Sequence, residues 1–129
     1  NCLIVHARRT DYLTSTGFTI LDENYYKKAL EHFPPDTKIF AFSDDPEWLR
    51  AALDRPAYVV SGRGFTDYEE LSLMSQGKNF IIANSTFSWW GAWLSSYENK
   101  KVVAPLHWFT SKLWWRANRD VVPEGWIRV

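Results

Sequence analysis

Four polar clusters stand where apolar runs end, and their residue types can bind and redistribute negative charge. The first, His6-Ala7-Arg8-Arg9, follows the run Cys2–Val5. A guanidinium grips phosphate oxygens at two points and keeps its charge at any working pH. Arg8 and Arg9 together therefore suit a diphosphate; a solvated pair, or salt bridges to Asp11, is the simpler alternative. His6 can donate to a ligand or bond within a strand. The second cluster is Ser43-Asp44-Asp45-Pro46. Helix capping accounts for Asp45, which leaves the Asp44 carboxylate for a base edge or a ribose hydroxyl. Adjacent acids raise the question of a metal, but Asp44 and Asp45 point apart and no third ligand has suitable spacing, so no metal is expected. Ser61-Gly62 is the third cluster. The fourth, Asn84-Ser85-Thr86, lies between Phe80–Ala83 and the aromatic stretch Phe87–Leu94. Free N–H groups at a helix start attract anions, and the helix dipole reinforces them.

Asn84-Ser85-Thr86 is also a glycosylation sequon, a reading that suits exposed loops better than a buried elbow. Trp89, Trp90 and Trp93 can stack on sugar rings, but their spacing is expected mainly to fill core. No nucleophile stands beside a base, and Thr10 and Asp11 follow the arginines where a glycine-rich phosphate loop would continue.

The elements that must position these clusters alternate. After the first strand, Asp22 caps a helix with Tyr25, Ala29, Leu30 and Phe33 on one face, stopped by Pro34-Pro35. Lys38–Phe42 is a second strand. Asp45 and Pro46 open a helix lined by Trp48, Leu49, Ala52 and Leu53. Ala57–Val60 is the third strand. Asp67 and Glu70 resemble a capping box before Leu71, Leu73 and Met74, with Gly77 as the closing cap. Phe80–Ala83 and Lys101–Ala104 are strands four and five, with a helix over Phe87–Leu94 between them. Pro105 ends the fifth, and the tail beyond Trp108 is expected to be irregular. This βα alternation predicts an α/β fold, a Rossmann-like parallel sheet with helices on both faces. Ligands bind beyond the carboxyl ends of such strands, which is where all four clusters fall.

Composition narrows the function. The chain has 129 residues, 46% hydrophobic and 17% aromatic, with 15 basic and 15 acidic side chains and zero formal charge. That is one folded domain without the basic footprint of a nucleic-acid binder. The single cysteine, Cys2, excludes an internal disulfide framework and is expected to be a small buried hydrophobe. No stretch is long enough to span a membrane. The chain opens on Asn1 and enters a strand at once, which suggests a domain from a longer protein.

The residues also resemble a known family. His6-Ala7-Arg8-Arg9-Thr10-Asp11-Tyr12-Leu13 is similar to the HxRRxDY motif of α-1,2-fucosyltransferases (glycosyltransferase family 11), shared more loosely with α-1,6- and protein O-fucosyltransferases. Phe42-Ser43-Asp44-Asp45 with Glu47-Trp48 resembles a second conserved block. Asp67 through Leu94, with Leu73-Met74-Ser75 and Ile82–Leu94, resembles the third in bacterial members. Ala104-Pro105, Trp108-Phe109 and Val122–Ile127 look like the family's C-terminal end. Thr10 stands where bacterial members usually carry glycine, and Gly77 where cysteine is common.

The resemblance implies that residues 1–129 are the GDP-sugar (donor) binding C-terminal domain of a two-domain GT-B enzyme whose N-terminal domain is absent here. It implies an inverting transfer of L-fucose from GDP-fucose to a galactoside hydroxyl in α-1,2 linkage, with an oligosaccharide or glycan as acceptor. No metal or other cofactor is required, and the place of action is cytoplasmic, peripheral to the membrane. It puts Arg8 on the β-phosphate, with Arg9 and His6 shaping that pocket. Asp44 lies near the nucleoside, Asn84, Ser85, Thr86 and Ser88 lie along the phosphates, and Ser43 is a further substrate-binding residue. Asp11 is the candidate proton acceptor. The competing expectation is a non-catalytic nucleotide- or sugar-binding module.

Overall fold

Successive strand residues point to opposite faces of a sheet, and here both faces are covered over most of the sheet, with Phe40 and Tyr58 left exposed, so the central strands read as unbroken apolar runs. A computed structural model describes residues 2–110 and 120–129. Its elements are β1 (Cys2–Ala7), α1 (Glu23–Leu30), β2 (Lys38–Ser43), α2 (Pro46–Ala52), β3 (Ala57–Val59), α3 (Asp67–Ser75), β4 (Asn79–Ile81), α4 (Thr86–Trp93), β5 (Lys101–Ala104) and β6 (Ile127–Arg128). The strands form one parallel sheet in the order β3-β2-β1-β4-β5-β6. Order reverses between β1 and β4, which makes the carboxyl ends of those two strands the crevice for a ligand. The fold is the expected Rossmann-like α/β sheet. Among the described residues no helix is long and apolar enough to cross a membrane.

On one face Leu3, Val5, Ala41, Ile81 and Val103 pack against Tyr25, Tyr26, Ala29 and Leu30 of α1 and Leu49 of α2. On the other, Ile4, Phe42, Phe80, Ile82 and Val102 pack against Met74 of α3, Ala92 of α4 and Trp108. The caps of α1 and α2 are those expected. Asp22 accepts from the N–H groups of Asn24 and Tyr25, and Asp45 from that of Trp48.

Several expectations are corrected. The capping box of α3 is Thr66 with Glu69, one residue earlier than the Asp67–Glu70 pair. Glu69 Oε2 accepts from Thr66 N at 2.7 Å because Thr66 is the last extended residue before the helix. Glu70 is thereby released from capping. Of Leu71, Leu73 and Met74 only Met74 is buried, because it alone faces α4 and the sheet. Gly77 does follow the α3 cap, but without a left-handed backbone. It is glycine because a Cβ there would collide with Ile4 Cγ1. Cys2 is half-buried rather than hidden, since it is the first residue of the central strand β1 and borders an open apolar groove. The tail contributes β6, where Val129 N donates to Ala104 O and Leu106 N to Val129 O. Two paired residues are too few for a periodicity to reveal. The tryptophans divide: Trp89 donates its indole N–H to Val121 O at 2.7 Å and stacks on Trp93, while Trp90 and Trp93 remain about half exposed.

Candidate functional site

The carboxyl ends of β1, β2 and β3 and the starts of α3 and α4 enclose a cleft of about 280 Å³. β1 supplies His6 and Arg8, β2 supplies Ser43 and Asp44, and β3 leads into Ser61 and Gly62. Phe65, Asp67 and Glu70 close one side and Phe87 of α4 another.

Arg8 is the cation of this cleft. Its Nε donates to Asp11 Oδ1 at 2.9 Å and its Nη2 to Asp11 Oδ2 at 3.0 Å. Asp44 Oδ2 is 3.5 Å from Nε. The hydrogen bond to Arg8 holds the Asp11 carboxyl below its usual range, and the same bond raises the guanidinium pKa further. Arg9 leaves in the other direction. Its guanidinium lies 3.6 Å from the centre of the Trp48 ring and donates to Leu21 O. The two arginines, adjacent in sequence, therefore do not form one claw, and only Arg8 enters the cleft.

Asp44 shapes the loop after β1. Its Oδ1 accepts from Arg9 N at 2.9 Å; its Oδ2 accepts from Thr10 N at 3.0 Å and from Thr10 Oγ1 at 2.6 Å. Burial works to raise its pKa. The Thr10 hydroxyl, the two N–H groups and nearby Arg8 outweigh that and bring it below the usual value. Thr10 thus ties the loop after β1 to the residue that follows β2.

His6 is 4% exposed, and its Nδ1 has no hydrogen-bond partner. Burial, with Arg8 adding to it, pushes its pKa down to about 4 against the opposing pull of Asp44. The ring is a neutral imidazole facing the cleft, 5.4 Å from the ring of Phe87.

Two groups without an assigned role in the sequence complete the cleft. Ser61 Oγ accepts from Ser43 N at 3.0 Å and donates to Glu70 Oε2 at 2.9 Å. Burial raises the Glu70 pKa, with the Ser61 bond opposing and Asp67 assisting. The strand-end position of Ser61 was a legible signal. That of Glu70 was hidden by its resemblance to a cap.

The fourth cluster is divided. Ser85 caps α4, accepting from Phe87 N. Thr86 is exposed on the first turn. Ser88 is fully buried, its hydroxyl 3.4 Å from both Ala83 O and Ser85 O. Asn84 is fully buried, and its amide donates to Thr19 O at 2.7 Å and Trp108 O at 2.8 Å. The sequon asparagine is therefore inaccessible in the folded chain. His6, Arg8, Ser43 and Asp44 line the cleft together; Arg9, Asn84 and Ser88 turn their side chains elsewhere.

The arrangement offers one guanidinium, a neutral imidazole, a capped helix start and a carboxylate with a serine beside it. That set can hold a phosphate at one end and a donor-rich ring at the other. Among the described residues no group of three or more His, Cys, Asp or Glu side chains is placed to hold a metal ion.

The glycosyl transferase family 11 model matches residues 1–129. The chain is 40% identical over 139 aligned residues to the O-antigen biosynthesis glycosyltransferase WbnK of Escherichia coli, with all of this chain and 45% of that protein covered. It is 35% identical over 141 residues to an alpha-1,2-colitosyltransferase of Escherichia coli, covering all of this chain and 48% of that protein. The chain spans about half the length of the curated relatives it matches. No solved structure matches it. The Rossmann-like sheet is that of the C-terminal domain of a GT-B glycosyltransferase, and with the family model matching residues 1–129 the chain belongs to glycosyltransferase family 11.

Proposed function

We propose that this chain is the donor-binding domain of an inverting glycosyltransferase that moves L-fucose from GDP-fucose to a galactoside hydroxyl in α-1,2 linkage. One observation carries the reading. One cleft over the carboxyl ends of β1, β2 and β3, bordered by Phe87 at the start of α4, holds Arg8 and the neutral His6, which are groups that suit a diphosphate. The family match supports glycosyl transfer.

Breaking the bond from sugar to diphosphate leaves negative charge on the departing nucleotide. Arg8 sits where a fixed cation lowers the energy of that charge without a metal. Capture of the diphosphate draws Arg8 from Asp11, and the freed Asp11 carboxylate then takes the proton of the attacking hydroxyl. Ser43, Ser85 and Thr86 line the phosphate side in this reading. Asp44 acts by holding the Arg9–Thr10 backbone beside the nucleoside. Glu70, braced by Ser61, accepts the N1–H and amino hydrogens of guanine. The acceptor sits against a second, N-terminal domain, and the assembled enzyme works in the cytoplasm at the membrane surface. A colitosyl donor is the second reading, favoured by the 35% identical relative.

Calorimetry with GDP and UDP tests the proposal. GDP is expected to bind this chain and UDP to bind at least tenfold more weakly, with Arg8→Ala weakening both. Equal binding of both nucleotides, or of GDP to Arg8→Ala, overturns it.

A further inference from the structure

We infer that Asn84 is a positioning residue, a clamp that fixes the loop bearing Arg8 against the loop after β5; its bearing on catalysis rests on the donor-binding reading above. Asn84 lies just past β4, between the two strands whose following loops it joins. Its side chain is fully buried and spends both amide hydrogens on main-chain carbonyls, Thr19 O of the β1–α1 loop and Trp108 O of the β5 loop. Its own carbonyl accepts the Tyr12 hydroxyl at 2.9 Å. One residue therefore holds the β1–α1 loop at both Tyr12 and Thr19.

The same two loops pair with each other around this point. Thr19 N donates to Trp108 O, Thr110 N donates to Gly17 O at 3.0 Å, and Phe18 bridges Phe109. Tyr12 stacks on Phe18 with ring centres 4.4 Å apart. Arg8, Asp11 and Tyr12 ride on this strap. Reversing the amide would set Oδ1 against two carbonyl oxygens, so chemistry fixes its orientation. Oδ1 itself has no partner, as expected of a side chain held for its two donors. A buried carboxamide is kept here at the cost of an unmade hydrogen bond, a cost that an apolar side chain would avoid. What it supplies in return is a fixed spacing between two loops.

Asn84→Asp tests the clamp, since it keeps the shape and removes both donors when ionised. Amide exchange at pH 8 is expected to rise at least tenfold at Thr19 and Thr110 while β1 and β4 stay protected. GDP affinity is expected to fall at least fivefold. Lowering the pH protonates the new carboxyl and returns one donor, so the deficit relative to the parent chain is expected to narrow toward pH 5. Tyr12 and Tyr25, bonded to the carbonyls of Asn84 and Ile82, stay protonated over this range, both raised by burial. His6, Asp11, Asp44, Glu70 and His107 are common to both proteins and cancel in the comparison. Tyr12→Phe supplies a second test that leaves the core intact, with faster exchange expected at Thr19. Unchanged loop protection in both variants overturns the clamp, as does loss of protection spread evenly through the strands. If the parent chain binds no GDP while the loops still loosen, the donor reading fails and the clamp stands.

Discussion

Arg8 and Asp11 face each other across one turn of the β1–α1 loop, joined at two points with N–O distances of 2.9 and 3.0 Å. On the proposed donor-binding reading, an incoming diphosphate displaces that carboxylate. The pair is substantially exposed, so it contributes little to folding, within about 1 kcal/mol. Asp11→Asn is therefore expected to leave the melting temperature almost unchanged and to tighten GDP binding two- to fivefold by removing the competitor. Transfer by the full-length enzyme should fall at the same time if Asp11 is the proton acceptor proposed above. Weaker GDP binding in Asp11→Asn would show that Asp11 holds Arg8 in its productive pose instead of competing for it.

Arg9 separates stability from binding. Its guanidinium covers the Trp48 ring, and its side chain is 14% exposed. Stacked cations of this kind contribute on the order of 1–2 kcal/mol, part of it through the packed stem. Arg9→Ala is expected to lower folding stability by about that much while changing GDP affinity less than threefold. Urea unfolding and calorimetry on the same sample decide it. The reverse pattern would place Arg9 on the ligand.

The sheet was legible because doubly covered strands leave continuous apolar runs, and Leu3–Val5 and Phe80–Ala83 are such runs. Asp22 and Asp45 were legible because capping is local. What escaped depends on contacts far apart in sequence. Nothing near Arg9 reveals that Trp48 will take its guanidinium, or that Asn84 will turn from the phosphates toward Thr19 and Trp108. Asp44 read as a ligand because its partners, the N–H groups of Arg9 and Thr10, carry no side-chain signature. Glu70 was masked by a cap pattern that lay one residue out of register.

His6 predicts an acid limb to stability. In the unfolded chain it takes a proton near pH 6.5, whereas burial delays protonation to about pH 4 in the fold. The unfolded state thus binds more protons between those values, and stability falls as pH drops through them. The full shift corresponds to about 3 kcal/mol. Asp11 and Asp44, both lowered, keep their contribution above the unfolded carboxylate range and lose it only below. Glu70, raised, acts oppositely, favouring the fold as pH falls. Denaturant titrations at pH 7, 5.5 and 4 should show a steeper loss in the parent than in His6→Asn. Parallel curves would mean that His6 protonates freely in the folded chain.

Gly77 is a packing glycine. Any Cβ there meets Ile4 Cγ1, and lies 3.1 Å from Phe80 Cζ and 3.2 Å from Met74 O. Phe80 is fully buried and has little room to yield, while Ile4 borders an open apolar groove. Overpacking of this sort costs about 1–3 kcal/mol. Gly77→Ala is expected to destabilise by that amount, measured by urea unfolding, without changing nucleotide selectivity. A neutral Gly77→Ala would show that the turn after α3 can move away from β1.

On the proposed reading, Glu70 decides which base the cleft prefers. Its carboxylate is half-buried beside Ser61, with a pKa raised chiefly by burial. Guanine presents two adjacent donors, its N1–H and amino group, and a carboxylate accepts both. Glu70→Gln keeps the shape but turns one acceptor into a donor, leaving one of guanine's hydrogens facing an N–H. GDP affinity is therefore expected to fall at least tenfold, while binding of UDP, which lacks that donor pair, changes less than twofold. Folding should be unharmed or slightly improved, since the variant no longer buries a charge. Competition titrations with GDP, ADP and UDP separate the outcomes. Loss confined to GDP assigns base reading to Glu70. An equal loss for all three nucleotides assigns it to the architecture of the β3–α3 loop through Ser61.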